Sequence, residues 1–78
     1  MAKQQGERAT QPVKRFRSYG IEASVWEHDK GYSVTLRKSY KTDDGSYKET
    51  NTYFMDDLPR LGLVAAEAYR FIALKESE

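Results

Sequence analysis

The run from Ile21 to Tyr53 constrains this chain most, because it alternates with a period of two and is broken by turn residues. Tyr32, Ser33, Val34, Thr35, Leu36 and Arg37 alternate apolar with polar, and the segment continues through Lys41 before Thr42-Asp43-Asp44-Gly45. A second extended segment, Ser46 to Phe54, follows and is rich in Thr and Tyr, which favour strands. Such alternation gives a sheet with one face in a core and the other in water. The polar positions carry Arg, Lys, Ser and Thr, with Trp26 and tyrosines close by. A basic, aromatic sheet surface suits single-stranded nucleic acid, whose bases stack on rings while its phosphates meet cations.

Upstream, Val13, Phe16 and Tyr19 mark a first extended segment that Gly20 can bend or split. Ile21, Ala23 and Val25 alternate with Glu22, Ser24 and Trp26, so Trp26 lies on the face opposite the small apolar residues. His28-Asp29-Lys30-Gly31 reads as one hairpin turn and Asp43-Asp44-Gly45 as the next. After Phe54 the period changes. Asp56 or Asp57 can cap a helix, Pro59 fits its first turn, and Leu61, Val64, Ala65, Ala68, Phe71, Ile72 and Lys75 recur at helical spacing. A helix of this length is roughly 25 Å long. Gly62 weakens it unless something packs closely there. The fold class expected is α+β: an antiparallel meander of three to four strands, then one C-terminal amphipathic helix covering one face.

At 78 residues the chain makes one domain with a small core. It has no cysteine to cross-link it. A homodimer is therefore expected, with the second apolar face of the helix (Leu63, Ala66, Tyr69 and Leu74) as its interface. Residues 13–76 form the expected domain, and residues 1–12 a disordered polar, basic arm. Residues 1–20 carry five basic side chains against one acidic, on a body that is otherwise near neutral. That asymmetry suits a polyanion, or simply makes a solubilising tail. No apolar stretch suggests a signal peptide or membrane span, so a cytoplasmic protein is expected, nucleoid-associated if bacterial.

The order of residues resembles the positive cofactor four family of transcriptional coactivators, whose small domain binds single-stranded DNA. The resemblance runs from Phe16 and Ile21 through Val25-Trp26, a Gly turn, Val34-Thr35-Leu36-Arg37, Tyr40, the Asp43-Asp44-Gly45 turn, Lys48 and the terminal helix, about Phe16 to Leu74. It implies a homodimer of curved antiparallel sheets. It also implies that Arg37, Tyr40 and Lys48 line or flank a nucleic-acid groove, with Trp26 near the same surface. The chain departs from that family at Thr50-Asn51-Thr52, where a basic, Gly-containing stretch is usual, and in its long apolar helix.

The expected nucleic-acid contacts are therefore Arg15, Arg17, Arg37, Lys38, Lys41 and Lys48 to phosphates, with Trp26 and Tyr40 stacking on bases or sugars. Structural roles compete with each of these. Trp26 can seal an interface, tyrosine pairs stabilise sheets, and charged edge strands prevent aggregation. The alternative function is a small dimeric protein-interaction module with no nucleic acid. Glu22, Glu27 and Glu49 decide between the two, since a face they share with the basic residues is not purely cationic. Glu27-His28-Asp29 has the wrong spacing to converge on a metal, and Ser24, Ser33 and Ser39 lack an evident base, so neither a metal, a cofactor nor an enzyme activity is expected.

Overall fold

In a computed structural model, which describes residues 11–76, the chain forms four strands, a short 3-10 helix and one α-helix. The expected 1–12 arm falls almost wholly outside the described residues. Strands β1 (Lys14–Ser18), β2 (Ile21–His28), β3 (Gly31–Lys41) and β4 (Tyr47–Thr50) form one antiparallel sheet in sequence order. Helix α1 spans Leu58–Glu76, preceded by the 3-10 turn Met55–Asp57. The α+β meander with a terminal helix is as the patterning predicts, with four strands of the three to four expected.

Gly20 does split the first segment. Tyr19 and Gly20 both take positive φ, 49° and 85°, as a two-residue turn between right-twisted strands requires. Only glycine fits the second position, because a Cβ there would lie 2.9 Å from the Ser39 carbonyl oxygen. The Gly20 carbonyl also accepts the Ser39 N–H at 2.8 Å, tying this turn to β3.

The core is small. Ile21, Ala23 and Val25 on β2 meet Val64 and Ala68 on α1, with Phe16, Val34, Leu36, Leu61, Phe71 and Ile72 packed partly around them. Phe16 and Phe71 meet edge to face at 6.2 Å. The helix lies chiefly over β1 and β2 and only marginally over β3.

The last extended segment is shorter than the alternation predicts. Pairing with β3 stops at Lys38↔Thr50. Thr52 N–H bonds back to Thr50 Oγ1, and Phe54 N–H is captured by Asp57 Oδ2 at 2.9 Å. Those local bonds turn the chain out of the sheet and into the helix, because side chains of Thr and Asp offer the backbone an alternative to the ladder. Asp57 is thereby the helix-start acid that the sequence marks, and it is buried.

Candidate nucleic-acid interface

The strand registers sort the eight expected contact residues onto two faces. Arg15 opposes Ser24, Arg17 opposes Glu22, Trp26 opposes Ser33, and Glu22 opposes Arg37. Ile21, Ala23 and Val25 point at the helix, so Arg15, Arg17, Glu22, Trp26, Arg37 and Lys41 share the uncovered face. Tyr47, paired with Lys41, joins them. Lys38 and Tyr40 have the parity of Val34 and Leu36 and lie on the helix side, as does Lys48, the partner of Tyr40. A single surface holding all eight is therefore not what forms.

Lys38 has a different job. Its ammonium donates to Asp57 Oδ2 at 2.7 Å and lies 4.8 Å from the centre of the Phe54 ring. It is largely covered and ties the end of the β3–β4 ladder to the start of the helix. The Lys38 hydrogen bond, then the Phe54 N–H, holds the Asp57 carboxyl below the usual aspartate range.

On the uncovered face the arginines are interleaved with acids. Glu22 accepts from Arg17 Nη2 at 2.5 Å and from Ser24 Oγ at 2.8 Å, with Arg15 Nε 3.6 Å away. The Arg17 bond is the main reason its carboxyl titrates below the ordinary glutamate range. Arg37 donates to Glu49 at 3.1 Å. The Arg37–Glu49 pair is exposed at both ends and contributes about 0–1 kcal/mol, whereas the Glu22 carboxylate is largely covered beneath exposed arginines. Glu22 and Glu49 thus share the face with the basic residues, whereas Glu27 has the parity of the helix-facing Val25.

The aromatic residues part company in the same way. Trp26 donates Nε1–H to Thr35 Oγ1 at 3.0 Å, which fixes the indole against β3 on the open face. Tyr47 stands on that face 71% exposed, beside a shallow depression lined by Arg17, Gly20, Ser39, Lys48 and Glu49. Tyr53 packs against the core and is structural. Burial raises its hydroxyl above the ordinary tyrosine range.

One contact escaped the sequence reading. His28 Nε2 and Ser33 Oγ lie 2.6 Å apart, a hydrogen bond whose direction follows the imidazole tautomer. Ser33 therefore does have a basic neighbour, brought there by the β2–β3 register, in which Ser33 opposes Trp26 and His28 opposes Gly31. The pair stands on the open sheet. The hairpin register carried that signal, through two polar residues on one face of adjacent strands.

On the helix, Leu63, Ala66, Tyr69 and Leu74 all face away from the sheet and are exposed. Among the described residues no group of three or more His, Asp or Glu side chains could hold a metal ion. No helix among them is long and apolar enough to cross a membrane. No protein-family model matches the chain, nor does any curated protein or solved structure.

Proposed function

We propose that this protein binds single-stranded nucleic acid, with little sequence preference, as a homodimer that uses the uncovered face of its sheet. The observation that carries the reading is the composition of that face: among the described strand residues, Arg15, Arg17, Arg37 and Lys41 stand with Trp26 and Tyr47 against Glu22 and Glu49 as the only acids. Cations there can track a phosphate backbone, and the exposed Tyr47 and the partly exposed Trp26 offer rings on which bases stack irrespective of sequence. Lys38 belongs to the fold, and Tyr40 and Lys48 are peripheral to this surface.

The experiment is fluorescence anisotropy of a labelled oligo-dT of about 20 nucleotides, titrated with salt beside a duplex control. Salt-sensitive binding that prefers the single strand is expected. Absence of binding at low salt overturns the proposal.

The second reading, a dimeric protein-interaction module, is favoured by one observation: Glu22 and Glu49 neutralise part of the face through their bonds to Arg17 and Arg37. It predicts no oligonucleotide affinity at any salt concentration.

A further inference from the structure

The sheet has an opening that its strand order conceals. β2 pairs with β3 over Gly31–Lys38, but β4 pairs with β3 only over Lys38–Lys41. On the β4 side, the stretch Tyr32–Arg37 has no strand beside it among the described residues. The space next to it is an open depression lined by Thr35, Leu36, Arg37, Glu49, Thr50 and Asn51.

The hydrogen-bonding direction follows from the register. His28 and Gly31 flank the two-residue turn, so Gly31, Ser33, Thr35 and Arg37 direct their N–H and C=O groups at β2. Tyr32, Val34 and Leu36 direct theirs outward. The Thr42 N–H bond to Ser46 O, at the far end of β3, has the same phase.

The three edges differ in how they are guarded. β1 carries Lys14, Arg15 and Arg17, and β4 is four residues long with Lys48 and Glu49. Charge and shortness are the usual protections against strand pairing. The open stretch carries one charge, Arg37, at its end, and Tyr32-Ser33-Val34-Thr35-Leu36 before it has no charge and no proline. Its Val34 and Leu36 are only half-buried, since the helix sits over β1 and β2.

We infer that a second copy of this chain seats on that edge, β3 against β3 in antiparallel register with Val34 opposite Val34 at the twofold axis. The sequence is self-complementary in this register. Tyr32 then opposes Leu36, and the three outward-facing pairs exchange about six backbone hydrogen bonds. On the outer face Ser33 meets Thr35, a favourable cross-strand pair, and Arg37 meets Gly31, so no like charges oppose each other within Gly31–Arg37; the ladder ends there, because β4 already pairs with Lys38. On the inner face Val34 and Leu36 join their counterparts into one apolar strip. Two sheets become one, and the faces bearing Trp26 and Arg37 become continuous. This deepens the dimeric part of the proposed function by naming the surface, and it stands independently of nucleic-acid binding.

The chain has no cysteine, so single-cysteine variants give unambiguous cross-links. Opposed residues of a hydrogen-bonded antiparallel pair have Cα atoms about 5.5 Å apart. That lies inside the roughly 4.4–6.8 Å range a disulfide spans. Val34→Cys and Ala66→Cys are oxidised side by side in the full chain, and the unmodified chain is sedimented in parallel. A dimer in sedimentation, with Val34→Cys converting mostly to covalent dimer and Ala66→Cys remaining monomeric, is the expected result. Selective cross-linking of Ala66→Cys moves the interface to the helix and overturns the inference, while leaving a dimer intact. A monomer in sedimentation overturns both, and oligo-dT anisotropy then reads the nucleic-acid surface separately. Hydrogen exchange on the unmodified chain gives a second readout. Amides of Tyr32, Val34 and Leu36 should become protected as concentration rises. Protection that is independent of concentration assigns the edge to a segment of the same chain and overturns the inference.

Discussion

Lys38 and Asp57 meet at 2.7 Å where the β3–β4 ladder ends and the helix begins. The bond makes a basic strand residue part of the scaffold rather than part of a binding surface. Lys38→Met is therefore expected to lower stability in urea melts while leaving oligo-dT affinity unchanged, whereas Lys41→Met does the reverse. The same pair sets an acid response. Asp57 has its pKa depressed in the folded state, chiefly by Lys38. Its stabilising contribution is thus fully present above the ordinary aspartate value of about 3.9 and is lost as pH falls through the lower folded value. Urea midpoints should decline below about pH 4, and Asp57→Asn should flatten that decline. An unchanged slope in Asp57→Asn would place the acid sensitivity elsewhere.

Trp26→Ala should weaken oligo-dT binding by roughly 1–3 kcal/mol, the range for losing one stacked base. Arg37→Ala should instead reduce the slope of log K against log salt by about 0.7, the contribution of one phosphate contact on a single strand. The two variants separate stacking from charge, and titrations at three or more salt concentrations read both. Affinity and slope that match the parent in both variants would falsify this face as the site.

Glu22 holds Arg17 directly and draws Arg15 to within 3.6 Å. Glu22→Gln should release both guanidinium groups, tightening oligo-dT binding and steepening its salt dependence by up to two phosphates' worth, about 1.4 in slope. A change in the opposite direction would mean that Glu22 orients the arginines rather than competing with the ligand for them.

Gly20 and Gly62 should respond to substitution with opposite sign. Gly20→Ala forces a Cβ against the Ser39 carbonyl at a φ of 85°, and should cost at least about 1–3 kcal/mol. Gly62 in α1 has open space where a Cβ would go, so Gly62→Ala should stabilise by roughly 0.8–1 kcal/mol. For a domain of this size each kcal/mol moves Tm by about 4–8 °C, which thermal melts resolve easily. A loss of stability in Gly62→Ala would show that a neighbouring helix packs there, against the β3-edge dimer.

Periodicity made the architecture legible. The inward set Ile21, Ala23 and Val25, the outward position of Trp26, both hairpin turns and the helical stripe through Val64 and Ala68 follow from spacing, whereas Gly20 left a bend or a split open and the structure shows the split. What spacing leaves open is parity across turns. Arg37 and Lys38 are neighbours in sequence, yet one reaches Glu49 on the open face and the other reaches Asp57 beneath the sheet. A one-residue change of register exchanges those roles, so a basic cluster in sequence does not become a basic cluster in space. The early end of β4 was hidden for another reason. Thr50 to Phe54 has strong strand propensity, but hydrogen bonds to the Thr50 and Asp57 side chains override it.

The order β1-β2-β3-β4 means that every strand pairs with its neighbour in sequence. Each ladder closes over a short turn, so little chain entropy is lost before contacts form. Such topologies fold quickly for sheets, since pairing needs no distant segment to arrive first. The helix is the exception. Its core residues Val64 and Ala68 complete a hydrophobic cluster whose other half, Ile21 to Val25, lies some forty positions earlier. A meander assembled without that cover exposes its apolar side, and the Lys38–Asp57 bond forms only once the helix start has docked. Assembly of this protein is therefore expected to divide into a rapid, local zippering of hairpins and a later docking event that makes the structure cooperative.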